Sequence, residues 1–146
     1  MTQPGFPYGG SIGYTLKRAQ SALRTHMDDA LRPLGLTTPQ YSCLEALNRA
    51  PGSSNADLAR AVFVTRQSMN TLLRGLEERG LVERTSSASG GRALPTTLTA
   101  DGRDLLTRAS ALVYQAETAM AGRLGLGRTA ALIEDLNACI DALDDQ

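Results

Sequence analysis

The chain has no tryptophan, one histidine and two cysteines, and only 4% of its residues are aromatic. Cys43 and Cys139 are far apart and each sits among helix-forming residues, which excludes a disulfide framework and a zinc motif and leaves buried thiols as the simplest expectation. No nucleophile–base arrangement, metal-ligand spacing or phosphate-binding glycine loop is visible, so catalysis, a metal and a cofactor are not expected. No apolar run approaches the roughly 18 residues a bilayer demands. The opening MTQPGFPYGGSIGY also lacks a basic segment followed by an apolar one, and a cytoplasmic protein with no membrane partner is expected.

Positive charge is not in excess either: the formal net charge is zero. That balance argues against nucleic acid, because lysine and arginine supply most non-specific affinity for phosphates. The distribution reverses the argument. From Asp101 onward, Asp101, Asp104, Glu117, Glu134, Asp135, Asp141, Asp144 and Asp145 outnumber Arg103, Arg108, Arg123 and Arg128. The remainder is correspondingly basic, and nearly all of its positive charge is arginine, which forks onto phosphates and guanine edges.

What is present is enough for one domain: 146 residues, 42% of them hydrophobic. Residues 1–10 read as an arm rich in proline, glycine and aromatic rings. From Ser11, Leu16, Ala19, Leu23, Met27, Ala30 and Leu34 recur in steps of three and four, predicting a long amphipathic helix that Gly35 ends. Thr38 and Pro39 open a second helix with Tyr41, Leu44 and Leu47 on its apolar side, stopping before Pro51 and Gly52. Ser54 to Asp57 has capping-box spacing for a short third helix carrying Leu58, Ala59 and Val62, which breaks at Phe63-Val64. Thr65 can cap a fourth helix. There Met69, Leu72, Leu73 and Leu76 form one narrow stripe, Gln67, Thr71 and Arg74 point away from it, and Asn70 flanks them.

After Gly80 the pattern switches to period two over Leu81–Thr85. SSASGG makes a small tip, and Arg92–Leu98 returns as the partner strand, with Pro95 confining it to an edge. Thr99 can cap a fifth helix bearing Leu105, Ala109, Leu112, Val113, Ala116 and Met120, interrupted by Gly122, Gly125 and Gly127. A sixth helix follows with Leu132, Ile133, Leu136, Cys139, Ile140 and Leu143 as its stripe.

The expected fold is therefore mainly α, a winged helix-turn-helix of about six helices and a two-stranded β-hairpin. A helix reads the major groove when its back is anchored in a core and its front carries hydrogen-bonding side chains. The fourth helix meets both conditions. Gln67 and Asn70 suit adenine edges, Arg66 and Arg74 suit guanine or phosphate, and Thr71 suits a thymine methyl or a phosphate, with Thr65 and Ser68 at the reading end. The glycine tip lets Arg92 enter a narrow minor groove, and Arg84 on the outgoing strand is a candidate phosphate clamp.

These residues resemble the MarR family over ADLARAVFVTRQSMNTLLRGLEERGLVERTSSASGGRALPTTLTADG. The shared pattern is Leu58-Ala59, Val64-Thr65, Leu76-Glu77 through Gly80-Leu81-Val82 and Arg84, Gly91-Arg92, and Leu98-Thr99. GLTTPQYSCLEAL from Gly35 is similar to the family's second helix, and the likeness extends architecturally over residues 12–144. It implies an intertwined homodimer built from residues 11–36 and 100–146, with residues 37–99 as the DNA-binding region on a pseudo-palindromic operator. It further implies a repressor released by a small molecule or oxidant acting in the cleft between dimer helices and head, where Tyr14, His26, Tyr41 and Cys43 are the candidates. Two features depart from the family. Gly90 stands where many members have an acidic partner for the wing arginine, and the first helix lacks the cysteine of the peroxide-sensing branch. The competing reading is a winged-helix architectural or protein-interaction module without a specific operator.

Overall fold

A computed structural model describes residues 10–84 and 95–146 of the chain. Helix α1 (Ile12–Leu31) leads through a 3-10 turn (Arg32–Leu34) to α2 (Thr38–Arg49), α3 (Asn55–Val62) and α4 (Arg66–Glu78). Strands β1 (Val82–Arg84) and β2 (Thr96–Leu98) follow, then α5 (Ala100–Leu124) and α6 (Leu126–Asp144). The strands pair antiparallel, with Val82 opposite Leu98 and Arg84 opposite Thr96.

Local chemistry sets most of these boundaries. The hydroxyls of Ser11, Ser54, Thr65 and Thr99 each accept the backbone amide three residues on, satisfying a donor that the first helical turn leaves free. At α2 the cap is Thr37 and not Thr38: the Thr37 hydroxyl accepts from the Gln40 amide while the Gln40 side chain accepts from the Thr37 amide. This reciprocal pair outcompetes Thr38, whose hydroxyl instead donates to the Asp28 carboxylate and ties the end of α1 to the start of α2. That hydrogen bond, aided by Arg24, holds the half-buried Asp28 carboxyl below its ordinary range.

Two other helix ends differ from expectation. α1 stops at Leu31, four residues short of Gly35, because Pro33 has no amide to continue the helical ladder and the chain tightens into the 3-10 turn. Arg79 at the end of α4 then donates to the carbonyl oxygen of Gly35 at 2.8 Å. Of the three glycines expected to break the fifth helix, only Gly125 does so, with φ 85 and ψ 164; Gly122 lies inside α5 and Gly127 inside α6.

The core lies where α2, α3, α4 and the strands meet the first turns of α5. Leu31, Leu44, Leu47, Leu58, Met69, Leu73 and Leu76 are fully buried there, each contributing roughly 1.5–3 kcal/mol by leaving water. The hairpin base is locked to α5 by Gly102. A Cβ built on that residue would lie 2.0 Å from the Leu81 carbonyl oxygen, which also accepts the Thr99 amide.

The outer helices are packed quite differently. α6 has no buried residue and packs chiefly against α5. Leu132, Ile133, Ile140 and Leu143 on α6, Met120 on α5, and Ile12 and Leu16 on α1 are all exposed.

Candidate nucleic-acid interface

Helix α4 is fixed from behind and open in front. Met69, Leu73 and Leu76 hold its back in the core with no exposed surface, and Leu72 is half-buried beside them. Arg66, Gln67, Ser68, Asn70, Thr71 and Arg74 are exposed, as is the cap Thr65. Thr65 also donates to Ser68 Oγ at 3.0 Å, and Thr71 donates back to the Gln67 carbonyl at 3.3 Å, so both hydroxyls are already engaged with the helix. Arg66, Gln67 and Arg74 have no side-chain hydrogen bond or ion pair among the described residues. A row of uncommitted donors on a rigid back is what recognition of base edges requires.

Asn70 is positioned by a residue the sequence reading did not single out. Its Oδ1 accepts from Asn55 Nδ2 at the start of α3, which links the two helices of the helix-turn-helix and leaves the Asn70 amide group free to donate. A polar side chain at the first residue of α3 was the available signal, though only the packing of α3 on α4 brings it to Asn70. On the same helix the Ser54 hydroxyl, with Arg60 alongside, keeps the exposed Asp57 carboxyl below its usual range.

Arg84 is less free than a phosphate clamp would be. Its side chain is half-buried, its Nε is shielded from solvent, and its charge is felt at the thiol of Cys43. Arg92 and the glycine tip lie outside the described residues.

The four residues named for a ligand site are not brought together. Tyr14 and His26 lie exposed on α1, where His26 borders a shallow depression shared with Lys17, Arg18 and Asp29. Cys43 is entirely buried 3.8 Å from the Met69 sulfur, and burial pushes its thiol up to about 12, the buried thiol that is the simplest expectation for a cysteine among helix-forming residues; it is not among the residues lining the cleft beside Tyr41. Tyr41 borders a separate cleft of about 710 Å³ between α2 and α5. Its hydroxyl lies 3.3 Å from Ser110 Oγ, and burial pushes its pKa above the ordinary phenol value. Arg49, Arg103, Glu45, Glu117 and Tyr114, none of them anticipated as ligand residues, stand in the polar part of the wall.

A capped short helix, a tight turn, an anchored second helix and an antiparallel hairpin in succession define a winged helix-turn-helix protein. Comparison with known proteins supplies the family. The sequence pattern described as MarR family matches residues 34–93. The HTH-type transcriptional repressor Rv2887 of Mycobacterium tuberculosis is 50% identical over 113 residues, covering 77% of this chain and 81% of that protein. The crystal structure of that Mycobacterium tuberculosis protein in complex with salicylic acid superposes with a TM-score of 0.74 at 43% identity, covering 92% of this chain and 99% of the other. Its complex with DNA gives a TM-score of 0.72 at 40% identity, over 89% and 98% of the two chains. The transcriptional repressor CouR bound to a 23-mer DNA duplex gives 0.81 at 34% identity, over 88% and 92%.

The chain belongs to the MarR family of winged helix-turn-helix transcriptional regulators.

Proposed function

We propose that the protein is a homodimeric, operator-binding transcriptional repressor that a small molecule releases from DNA, acting in the cytoplasm and with no catalytic step of its own. The observation that carries this reading is α4, whose buried Met69, Leu73 and Leu76 hold a row of exposed polar side chains rigidly outward. Gln67 and Asn70 read adenine edges, Arg66 and Arg74 take guanine or phosphate, and Thr65, Ser68 and Thr71 lie against the backbone or a thymine methyl. Arg84 supports the wing more than it clamps a phosphate, given its half-buried guanidinium. Arg92 serves the minor groove.

The exposed leucines and isoleucines of α6, with Ile12 and Leu16 of α1, support a dimer formed through these helices. A monomer would leave them in water. The cleft between α2 and α5 is the effector site this reading favours. Arg103 and Arg49, the latter 3.7 Å from Glu45, offer cations in a wall that also holds Glu45 and Glu117, and Tyr41 and Tyr114 offer rings and hydroxyls, a set that can take a small aromatic carboxylate. The salicylic acid complex of the Mycobacterium tuberculosis relative points to the same chemistry.

Selection of bound sequences from a randomised pool, run with the wild type and Gln67→Ala, tests the reading. The wild type is expected to enrich an inverted repeat. The variant is expected to lose preference at one base pair in each half-site and to bind the parent site about tenfold more weakly, in line with roughly 1–3 kcal/mol for a bidentate base contact. Identical preferences and affinity in the two proteins would remove α4 as the reading element.

A further inference from the structure

Phe63, in the turn between α3 and α4, has 94% of its surface exposed. Its backbone is left-handed at φ 61, and it is the one described residue other than glycine with positive φ. The outward direction is imposed locally. The amides of Phe63 and Val64 both donate to the Ala59 carbonyl, closing α3, and Val62 and Val64 on either side pack against the core. With both neighbours turned inward, the ring between them is held in solvent.

The turn closes α3, but among the described residues the ring itself gains almost no burial. A left-handed position favours glycine or asparagine, and a phenyl ring in water forgoes the burial for which aromatic side chains are otherwise used. The ring sits two residues before the cap Thr65 and three before Arg66, at the end of α4 that the operator-binding reading turns toward the bases. We propose that Phe63 is a DNA-contacting residue, its ring packing on the thymine methyl and deoxyribose edge that flanks the bases read by α4. This role rests on the operator-binding reading and adds to it an apolar determinant beside the polar row. Such a contact discriminates by the methyl group and by shape, and it releases no counterions.

The full-length dimer with Phe63→Asn tests it, since asparagine accepts the left-handed backbone and lacks the ring. Operator affinity is expected to fall about tenfold, with the slope of log affinity against log salt unchanged and the thermal midpoint equal to or above that of the wild type. Phe63→Tyr, which keeps the ring, is expected to bind within threefold of the wild type. Unchanged operator affinity in Phe63→Asn, or an equal loss in Phe63→Tyr, would overturn the assignment while leaving operator reading by α4 intact. A wild type that selects no operator would remove both. Normal DNA binding by Phe63→Asn with loss of repression in cells would mark the ring as a protein contact and would likewise overturn its role on DNA.

Discussion

Replacing Gly102 by alanine should invert the usual effect of that substitution in a helix. In an unconstrained helical interior, alanine is favoured over glycine by about 1 kcal/mol. At Gly102 the added Cβ would meet the Leu81 carbonyl oxygen at 2.0 Å and the Leu81 carbonyl carbon at 3.0 Å, both backbone atoms that no side-chain rotation can move aside. The first turn of α5 must therefore back away from the base of β1. That movement strains the Thr99 amide to Leu81 oxygen bond at 3.1 Å and the Thr99 hydroxyl bond to the Gly80 carbonyl at 2.6 Å. Overpacking costs roughly 1–3 kcal/mol and a weakened hydrogen bond about 1 kcal/mol more. Set against the helical gain, the net loss is about 1–3 kcal/mol. At roughly 2–4 °C per kcal/mol, the thermal midpoint should fall by about 2–12 °C. Gly75 of α4 is the control, since a Cβ there meets nothing within 4 Å and Gly75→Ala should raise the midpoint by a few degrees. Both variants are compared with the wild type by calorimetry at one protein concentration, because a dimer's midpoint depends on concentration. A midpoint for Gly102→Ala that rises as the control does would refute the close approach between wing base and α5.

Asn55→Ala removes the side chain that fixes Asn70; stability should drop by about 1 kcal/mol, and selectivity at the base pair read by Asn70 should weaken with the remaining positions unchanged. Sequence selection on the variant checks it, and unaltered preferences would separate Asn55 from recognition. Alkylation of the native protein near pH 8 should leave buried Cys43 unmodified until the chain unfolds, because a thiol with a pKa of about 12 holds almost no thiolate there. The sign of the linkage is also fixed: the folded thiol keeps its proton after the unfolded one has lost it. The stability this confers is complete below about pH 9 and declines as pH rises toward 12. Peptide mapping that finds Cys43 labelled in the native protein as fast as in the unfolded chain would contradict the burial.

Much of this was legible in the sequence, because helix periodicity and caps are local. The stripe of Met69, Leu73 and Leu76 and the Thr65 cap appear where their spacing places them. The strand pair was legible in the alternation around Leu81–Thr85 and the return over Arg92–Leu98, and its described part is Val82–Arg84 paired with Thr96–Leu98; the register was not. The errors arose where two local signals competed. Thr37 and Thr38 are both capping residues, and Gln40 at the right distance decides for Thr37. Three glycines lie within six residues, but a helix tolerates an isolated glycine and only Gly125 takes a non-helical conformation.

The site was legible in its face and not in its partners. Asn55 meets Asn70 across fifteen residues, and Arg49 of α2 and Arg103 of α5 line one cleft from more than fifty residues apart, so neither pair has a sequence pattern. The exposure of Phe63 is also invisible in its identity, since a phenylalanine between two valines reads as core. Cys43 shows the converse: one cysteine on an amphipathic helix fits either a sensor or a packing residue, and only its burial among Met69 and its neighbours decides.

The central claim, that a dimer reads an operator through two copies of α4, is tested most directly by footprinting the intact protein on the intergenic DNA beside its own gene. The account predicts a protected inverted repeat whose half-sites are centred about one helical turn, roughly 10–10.5 base pairs, apart. Protection without any preferred sequence, or of a single unrepeated half-site, would contradict it.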